Sequence, residues 1–209
     1  MKLVFATNNR HKLDEVRDIL GDRVEVLSLN DIDCHDDIPE TADTLQGNAL
    51  IKARYIYEKY GTDCFADDTG LEVDSLNGEP GVYSARYAGE GKDFNQNMDK
   101  VLYELSVVET EARMAKSMGL SVKPVSRRAR FKSVITLIIN GEPHIFEGTL
   151  EGEIGYEKSG NGGFAHHPIF IADEYPGLTL ADTTEEQKNE ISHRGKALRA
   201  MAEWLKSQN

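Results

Sequence analysis

Apolar residues recur along the chain in two rhythms. Leu3 to Ala6 is a short unbroken apolar run of the kind a buried strand uses. The polar turn Thr7-Asn8-Asn9-Arg10 follows, and asparagine suits it because it tolerates unusual backbone angles and bonds its own backbone. From about His11, Leu13, Val16, Ile19 and Leu20 keep helical spacing, so strand, turn and helix open the chain. Val24 to Leu27 reads as a second strand and residues 30–44 as an acidic, irregular stretch. Leu45, Ala49, Ala53, Ile56 and Tyr60 predict a helix over 45–60, on which Asn48 and Lys52 share a face. Cys64-Phe65-Ala66 reads as a short strand that ends in Asp67-Asp68-Thr69-Gly70, and residues 77–91 are rich in glycine and turn formers. Met98, Val101, Leu102 and Leu105 predict a helix from Phe94 to about Met118. Residues 133–139 and 144–148 flank Asn140-Gly141, which supplies the positive φ angles of a two-residue hairpin turn. Thr184-Glu185-Glu186-Gln187 fits a capping box, and Ile191, Leu198, Met201, Ala202 and Leu205 mark a final amphipathic helix. Strands and helices alternate in the first third, which argues an α/β fold.

Composition narrows the class. The chain has 209 residues, 39% hydrophobic and 29% charged, enough to bury a substantial core in one large domain or a two-lobed one. No window reaches the ~18 apolar residues a bilayer span needs, and the apolar run at Met1–Ala6 is too short for a secretory signal, so a cytoplasmic location is expected. Cys34 and Cys64 form no CxxC pair, so two buried, idle thiols are expected rather than a disulfide framework or zinc cage. The formal net charge of −12 repels a nucleic-acid backbone and an anionic membrane surface. A small anionic ligand is still compatible with it, given a local cluster of cations, helix N-termini or a carboxylate-held divalent metal.

Five stretches meet that requirement in part. In Thr7-Asn8-Asn9-Arg10-His11-Lys12 a strand-to-helix turn aims free N–H groups at one spot, and Lys12 adds an ammonium whose place at a helix start an anion would explain. An ordinary capped βα turn is the plainer alternative, because the glycines of the usual phosphate loops are absent. In Asp67-Asp68-Thr69-Gly70 one acid can face a cleft as a hard-metal ligand or general base while the other holds the turn; an aspartate-rich turn is the alternative. Glu40, ahead of the helix that carries Asn48 and Lys52, can complete a magnesium site with Asp68, or be a solvated acid beside Asp36 and Asp37. Lys188 with Ser192-His193-Arg194-Gly195 can present donors to a base or a phosphate, or be a solvated helix face. In Gly162-Gly163-Phe164-Ala165-His166-His167-Pro168 the glycines allow a close ligand and Phe164 can stack on a base. The neighbouring histidines face apart, which argues against a metal there.

Taken in order, these segments resemble the inosine triphosphate pyrophosphatases, the non-standard purine NTP (dITP/XTP) pyrophosphatases. The match runs from residue 2 to about 205 and is most specific from Phe65 to Gly89, through Phe65-Ala66-Asp67-Asp68-Thr69-Gly70 and Tyr83-Ser84-Ala85-Arg86-Tyr87. The resemblance implies a single domain over 1–209, with a long twisted mixed sheet flanked by helices and two lobes around a central cleft. It implies a homodimer that hydrolyses ITP, dITP and XTP to the monophosphate and pyrophosphate with Mg²⁺. It also implies Asp68 as catalytic base and metal ligand, Glu40 as second metal ligand, and Thr7 to Lys12 as the triphosphate turn. Thr69, Lys188, His193 and Arg194 would then be substrate contacts, with Lys52 adding positive charge and residues 164–167 handling the base.

Two departures stand out. Where the family continues Gly-Gly-Phe with Gly-Tyr-Asp-Pro, this chain has Ala165-His166-His167-Pro168, so weaker discrimination among bases is expected. The stretch from Ser106 to Arg128 is longer than the family norm and ends in a basic cluster, Lys123, Arg127 and Arg128, for which a solvated insertion is the plain reading. A related pyrophosphatase with another base preference and a non-catalytic nucleotide-binding protein are the competing classes. The presence of both acids, Lys12 and Ser192-His193-Arg194 argues against the second of these.

Overall fold

The amino-terminal apolar run becomes β1 (Lys2–Phe5), hydrogen-bonded in parallel to β2 (Glu25–Leu27) on one side and to β3 (Cys64–Val73) on the other. A parallel strand needs a crossover, and α1 (Arg10–Leu20) and α2 (Leu45–Tyr60) supply them. The computed structural model describes residues 1–160 and 165–208. It continues through β4 (Pro80–Gly81), α3 (Phe94–Ser117), β5 (Arg128–Ile139), β6 (Glu142–Ile154), β7 (Phe170–Ala172), α4 (Glu185–Ile191) and α5 (His193–Ser207). Among the described residues the strand order is β2-β1-β3-β5-β6-β7, with β4 antiparallel to β3. The α/β class is as expected. Among the same residues no helix is long and apolar enough to cross a membrane.

Local chemistry explains most element ends. Thr44 caps α2 through a bond from Gly47 N, and Gly61 closes it at φ +60°. Asn140 and Gly141 take φ +51° and +85° at the β5–β6 turn, as a type I′ hairpin requires. Thr184 and Gln187 exchange the reciprocal bonds of a capping box at 2.9 and 3.2 Å.

Two compact units divide the chain. The first comprises Met1–Thr69, Lys132–Thr149 and Ser192–Asn209. One of its cores joins α1 and α5 through Leu13, Val16, Leu198 and Met201, over a stacked pair, Phe5 and Phe65, with ring centroids 4.5 Å apart. Its other core packs α2 on β3 through Ala53, Ile56, Cys64 and Ala66. Both cysteines are free and buried, and burial pushes the Cys64 thiol up to about 12, which keeps it protonated and inert. The second unit comprises Gly70–Phe131 and Leu150–Ile191, with Leu71, Val101, Leu105, Leu150 and Phe170 in its core.

Candidate active site

The turn after β1 is capped as expected: Asn9 Oδ1 accepts from Lys12 N at 3.3 Å and so starts α1. Lys12 then points its ammonium away from the helix and onto Asp67, meeting both carboxylate oxygens at 2.8 and 2.9 Å. The anion that justifies a cation at a helix start is therefore a side chain of the protein itself. Arg194, in the first turn of α5, reaches the same carboxylate through Nε at 3.0 Å and also holds Glu15 Oε2 at 3.2 Å. Ser192 caps α5 by accepting from Gly195 N at 3.0 Å and donates to Glu15 Oε1 at 3.1 Å. Ser192, Glu15, Arg194, Asp67 and Lys12 thus form one continuous chain of charge-assisted bonds.

β3 does not stop at Ala66. It continues as a strand from Cys64 to Val73, so Asp67 and Asp68 lie within it and the aspartate-rich turn is corrected. β3 has strand neighbours along its length: β1 and β5 lie beside it in the sheet, and Leu71 and Glu72 pair with Gly81 and Pro80 of β4. Adjacent strand residues point to opposite faces. Asp67 is 3% exposed and saturated with cations, whereas Asp68 accepts at Oδ1 from its neighbour Thr69 N at 3.1 Å. Among the described residues Asp68 Oδ2 is buried without a hydrogen-bond partner.

Lys52 links this strand to Glu40. Its ammonium donates to Glu40 Oε1 at 2.5 Å and to the Asp67 carbonyl at 2.7 Å, and lies 3.9 Å from Asp68 Oδ1. The segment that carries Glu40 is folded onto the first turn of α2. Ala42 N donates to the buried Asn48 Oδ1 at 2.9 Å, and a Cβ on Gly47 would come within 2.5 Å of the Ala42 Cβ. Glu40 is therefore fixed from two sides and is not a stray solvated acid. Further out, Asp36 anchors the same segment to the end of α2 through Lys59 and, at 2.7 Å, the Tyr55 hydroxyl.

The two neighbouring acids titrate in opposite directions. Burial is the largest single influence on Asp67 and pushes it up, but Lys12, Arg194 and Lys52 together hold it well below the usual carboxylate range. Burial also dominates at Asp68; with the negative charges of Glu40 and Asp67 it outweighs the pull of Lys52 and the Asn48 amide, and Asp68 rises to about 6. Burial opposes the charge on Lys52, yet Asp67, Asp68 and Glu40 around it raise its pKa, so it stays an ammonium.

The donor set fits a hard divalent cation. Asp68 offers a buried oxygen with no partner, and Glu40 Oε1 and Asp68 Oδ1 both contact one Lys52 nitrogen, so the two are no further apart than the sum of 2.5 and 3.9 Å. Mg²⁺ takes one or two carboxylates and completes its shell with water and phosphate. Among the described residues no group of three or more His, Cys, Asp or Glu forms a fuller cage.

Thr7, Asn8, Asn9, Arg10, His11, Lys12, Glu40, Lys52, Asp68, Thr69, His193 and Arg194 all fall in the first unit. Thr7 Oγ1 accepts from Asn9 N at 3.2 Å and Asn8 Oδ1 from Asn30 N at 2.9 Å, so both shape the turn. Thr69 Oγ1 bonds Ser133 Oγ at 3.1 Å. Ala165, His166, His167 and Lys188 belong to the second unit, and Phe164 lies outside the described residues. There Lys188 bonds Glu185 at 2.6 Å. Ala165 sits at φ +56°, and among the described residues His166 is buried with neither ring nitrogen bonded. Burial, with His167 adding to it, lowers His166 to about 4, so its ring is neutral. Three residues of the first unit were missed: Asp67 as organiser of the cations, Glu15, and Gly148. A Cβ on Gly148 would stand 2.1 Å from the His193 carbonyl and 2.7 Å from Ala197 N, so only glycine lets the start of α5 approach β6. Glu15, four residues before Ile19 on a helix of ordinary pattern, carries no local signal of this role.

Comparison with known proteins gives a consistent answer. The family model described as the Ham1 family matches residues 3–204. The dITP/XTP pyrophosphatase of Flavobacterium psychrophilum is 49% identical over 207 residues, covering 99% of this chain and 100% of that protein. Among solved structures, a HAM1 protein from Coxiella burnetii superposes with a TM-score of 0.87 at 34% identity over 99% of both chains. The Staphylococcus aureus Ham1 protein superposes with a TM-score of 0.85 at 33% identity over the whole of both.

Proposed function

The chain belongs to the Ham1 family, and from that premise we propose that it is a nucleoside-triphosphate pyrophosphatase acting on non-standard purine nucleotides, dITP, XTP and ITP. The observation that carries the chemistry is the Asp68 carboxylate: buried, raised to about 6, with Oδ2 unpartnered among the described residues, next to Lys52 and Glu40. Such a group is poised to take a proton near neutral pH. Asp68 accepts the proton of a water whose oxygen bonds to the α-phosphorus; the bond to the bridging oxygen breaks, and pyrophosphate leaves with its electron pair. Lys12, Lys52 and Arg194 offer donors to the phosphate oxygens, and Asp67 keeps the three gathered. A divalent cation, Mg²⁺ in this reading, held by Asp68 and Glu40 would withdraw charge from those oxygens.

A second reading concerns the base. The resemblance puts base handling on residues 164–167, where His167 replaces the family's acidic residue and the neutral, buried His166 stands beside it. We infer relaxed discrimination, to be read as the ratio of kcat/KM for XTP, dITP and GTP. The reading also includes a cytoplasmic homodimer, checked by light scattering for its mass. The decisive assay is product identity. Pyrophosphate and monophosphate released in equal amounts from dITP, and lost in Asp68→Asn, are expected; orthophosphate appearing first overturns the proposal.

A further inference from the structure

The long stretch after α3 builds a cavity of its own. Met118 N donates to the Met114 and Ala115 carbonyls at 3.1 Å, Leu120 N donates to Ala115 O at 3.0 Å, and Gly119 takes φ +76°. This ends the helix and turns the chain back. Ser126 N is then pinned to Ser75 Oγ at 2.8 Å. Residues 120–125 face the last turns of α3 across an open surface cavity of about 620 Å³, whose lining is mostly exposed. The helix wall is Glu109, Ala112, Arg113 and Lys116, whose spacing puts them on one face. The returning segment contributes Lys123 and an apolar surface from Leu120, Val122, Pro124 and Val125.

Three cations line this cavity. The chain carries 36 acids against 24 bases; Lys12, Lys52, Lys59, Arg128 and Arg194 rest on carboxylates, while Arg10, Arg23, Arg54, Arg86, Lys92 and Lys100 make no ion pair among the described residues. Among the described residues Arg113, Lys116 and Lys123 make no ion pair, and Arg113 bonds only Thr110 Oγ1 at 3.1 Å. The one acid of the lining, Glu109, is occupied by Arg127 at 2.7 Å. Arg127 is also bonded to the Ile154 and Gly155 carbonyls at 2.7 and 2.6 Å, and its guanidinium carbon lies 4.1 Å from the centroid of the Tyr156 ring. A fixed guanidinium thus holds an aromatic side chain that is 79% exposed and lines the cavity.

We propose that this cavity binds a nucleotide, with Tyr156 stacking on the base and Arg113, Lys116 and Lys123 taking the phosphates. The volume lies in the ~300–1,000 Å³ range of small-molecule sites. A bare inorganic anion leaves the apolar wall and the ring unused, and an apolar ligand leaves three cations unused; a planar base joined to phosphates uses all of them. The site lies wholly in the second unit and does not rest on the proposed reaction.

The test is calorimetric titration of the full chain with ADP at low salt, with inorganic pyrophosphate as a parallel arm. Apart from binding at the catalytic site, which the Lys12→Ala arm separates, one further site is expected, weakened by added salt, with pyrophosphate bound there more weakly than ADP. Arg113→Gln/Lys116→Gln/Lys123→Gln should lower ADP affinity by about tenfold or more, and Tyr156→Ala several-fold, while Lys12→Ala leaves it unchanged. Both cavity variants should keep the far-UV dichroism and dITP turnover of the parent. Failure of the parent to bind ADP at about 1 mM, affinity that follows Lys12 instead of the three cations, or pyrophosphate bound as tightly as ADP would each overturn the proposal.

Discussion

On one side of β3, the Asp67 carboxylate receives Lys12 through both oxygens and Arg194 through one, and is held ionised far below its ordinary range. On the other side, Asp68 accepts a bond from its neighbour's amide, keeps one buried oxygen without a partner among the described residues and is pushed up to about 6. The two are consecutive residues of one type on one strand. Surroundings alone make the first a fixed anion that stores cations and the second a titrating group available for chemistry. The stability contributions have opposite signs. Asp67, with its folded pKa depressed, contributes stability that is present above the unfolded value of 3.8 and lost as pH falls through the folded value. Asp68, with its folded pKa raised, contributes stability present below 3.8 and lost as pH rises through about 6.

The sharpest test is Asp68→Asn. Turnover should fall by about a thousandfold, while denaturant unfolding at pH 8 should show the variant more stable by about 2 kcal/mol, because a carboxylate that resists ionisation has been removed. A variant that is both inactive and less stable would break the contrast. Asp67→Asn should do the reverse to stability. It leaves Lys12 and Arg194 converging without their anion, and should cost about 3 kcal/mol in the same measurement at neutral pH. If the two variants shift stability in the same direction, the division of labour is wrong.

Gly148→Ala tests whether Arg194 must arrive at Asp67 with that backbone approach. The added Cβ has to displace the His193 carbonyl or the strand, and a loss of about 2 kcal/mol in unfolding free energy is expected, with a raised KM for dITP. The smallest effect is a slope. A divalent ion must displace the proton of Asp68, so Mn²⁺ affinity measured by calorimetry should fall about tenfold per pH unit below 6 and level off above it. A profile flat down to pH 4.5 would mean that Asp68 is already ionised there.

Some of this was legible in the residues alone. The spacing of Leu45, Ala49, Ala53 and Ile56 predicts α2 with both ends correct, and Asn140-Gly141 announces its hairpin, because periodicity and turn chemistry are local properties. The ordered segments around Asp68, Glu40 and Arg194 likewise pointed to the family whose model matches residues 3–204. What the residues alone left open was the identity of each partner. Lys12 and Asp67 are separated by 55 positions and Asp67 and Arg194 by 127, so nothing in any sequence window says that they meet. The continuation of β3 through the acids rests on strands distant in the chain, β5 and β4 beside it, and the approach of α5 required Gly148 on another distant strand. Local pattern determined which elements form. Only tertiary structure decided which of two identical side chains is neutralised by cations and which is left free to act, since burial and long-range charge set that difference and neither is a property of neighbouring residues.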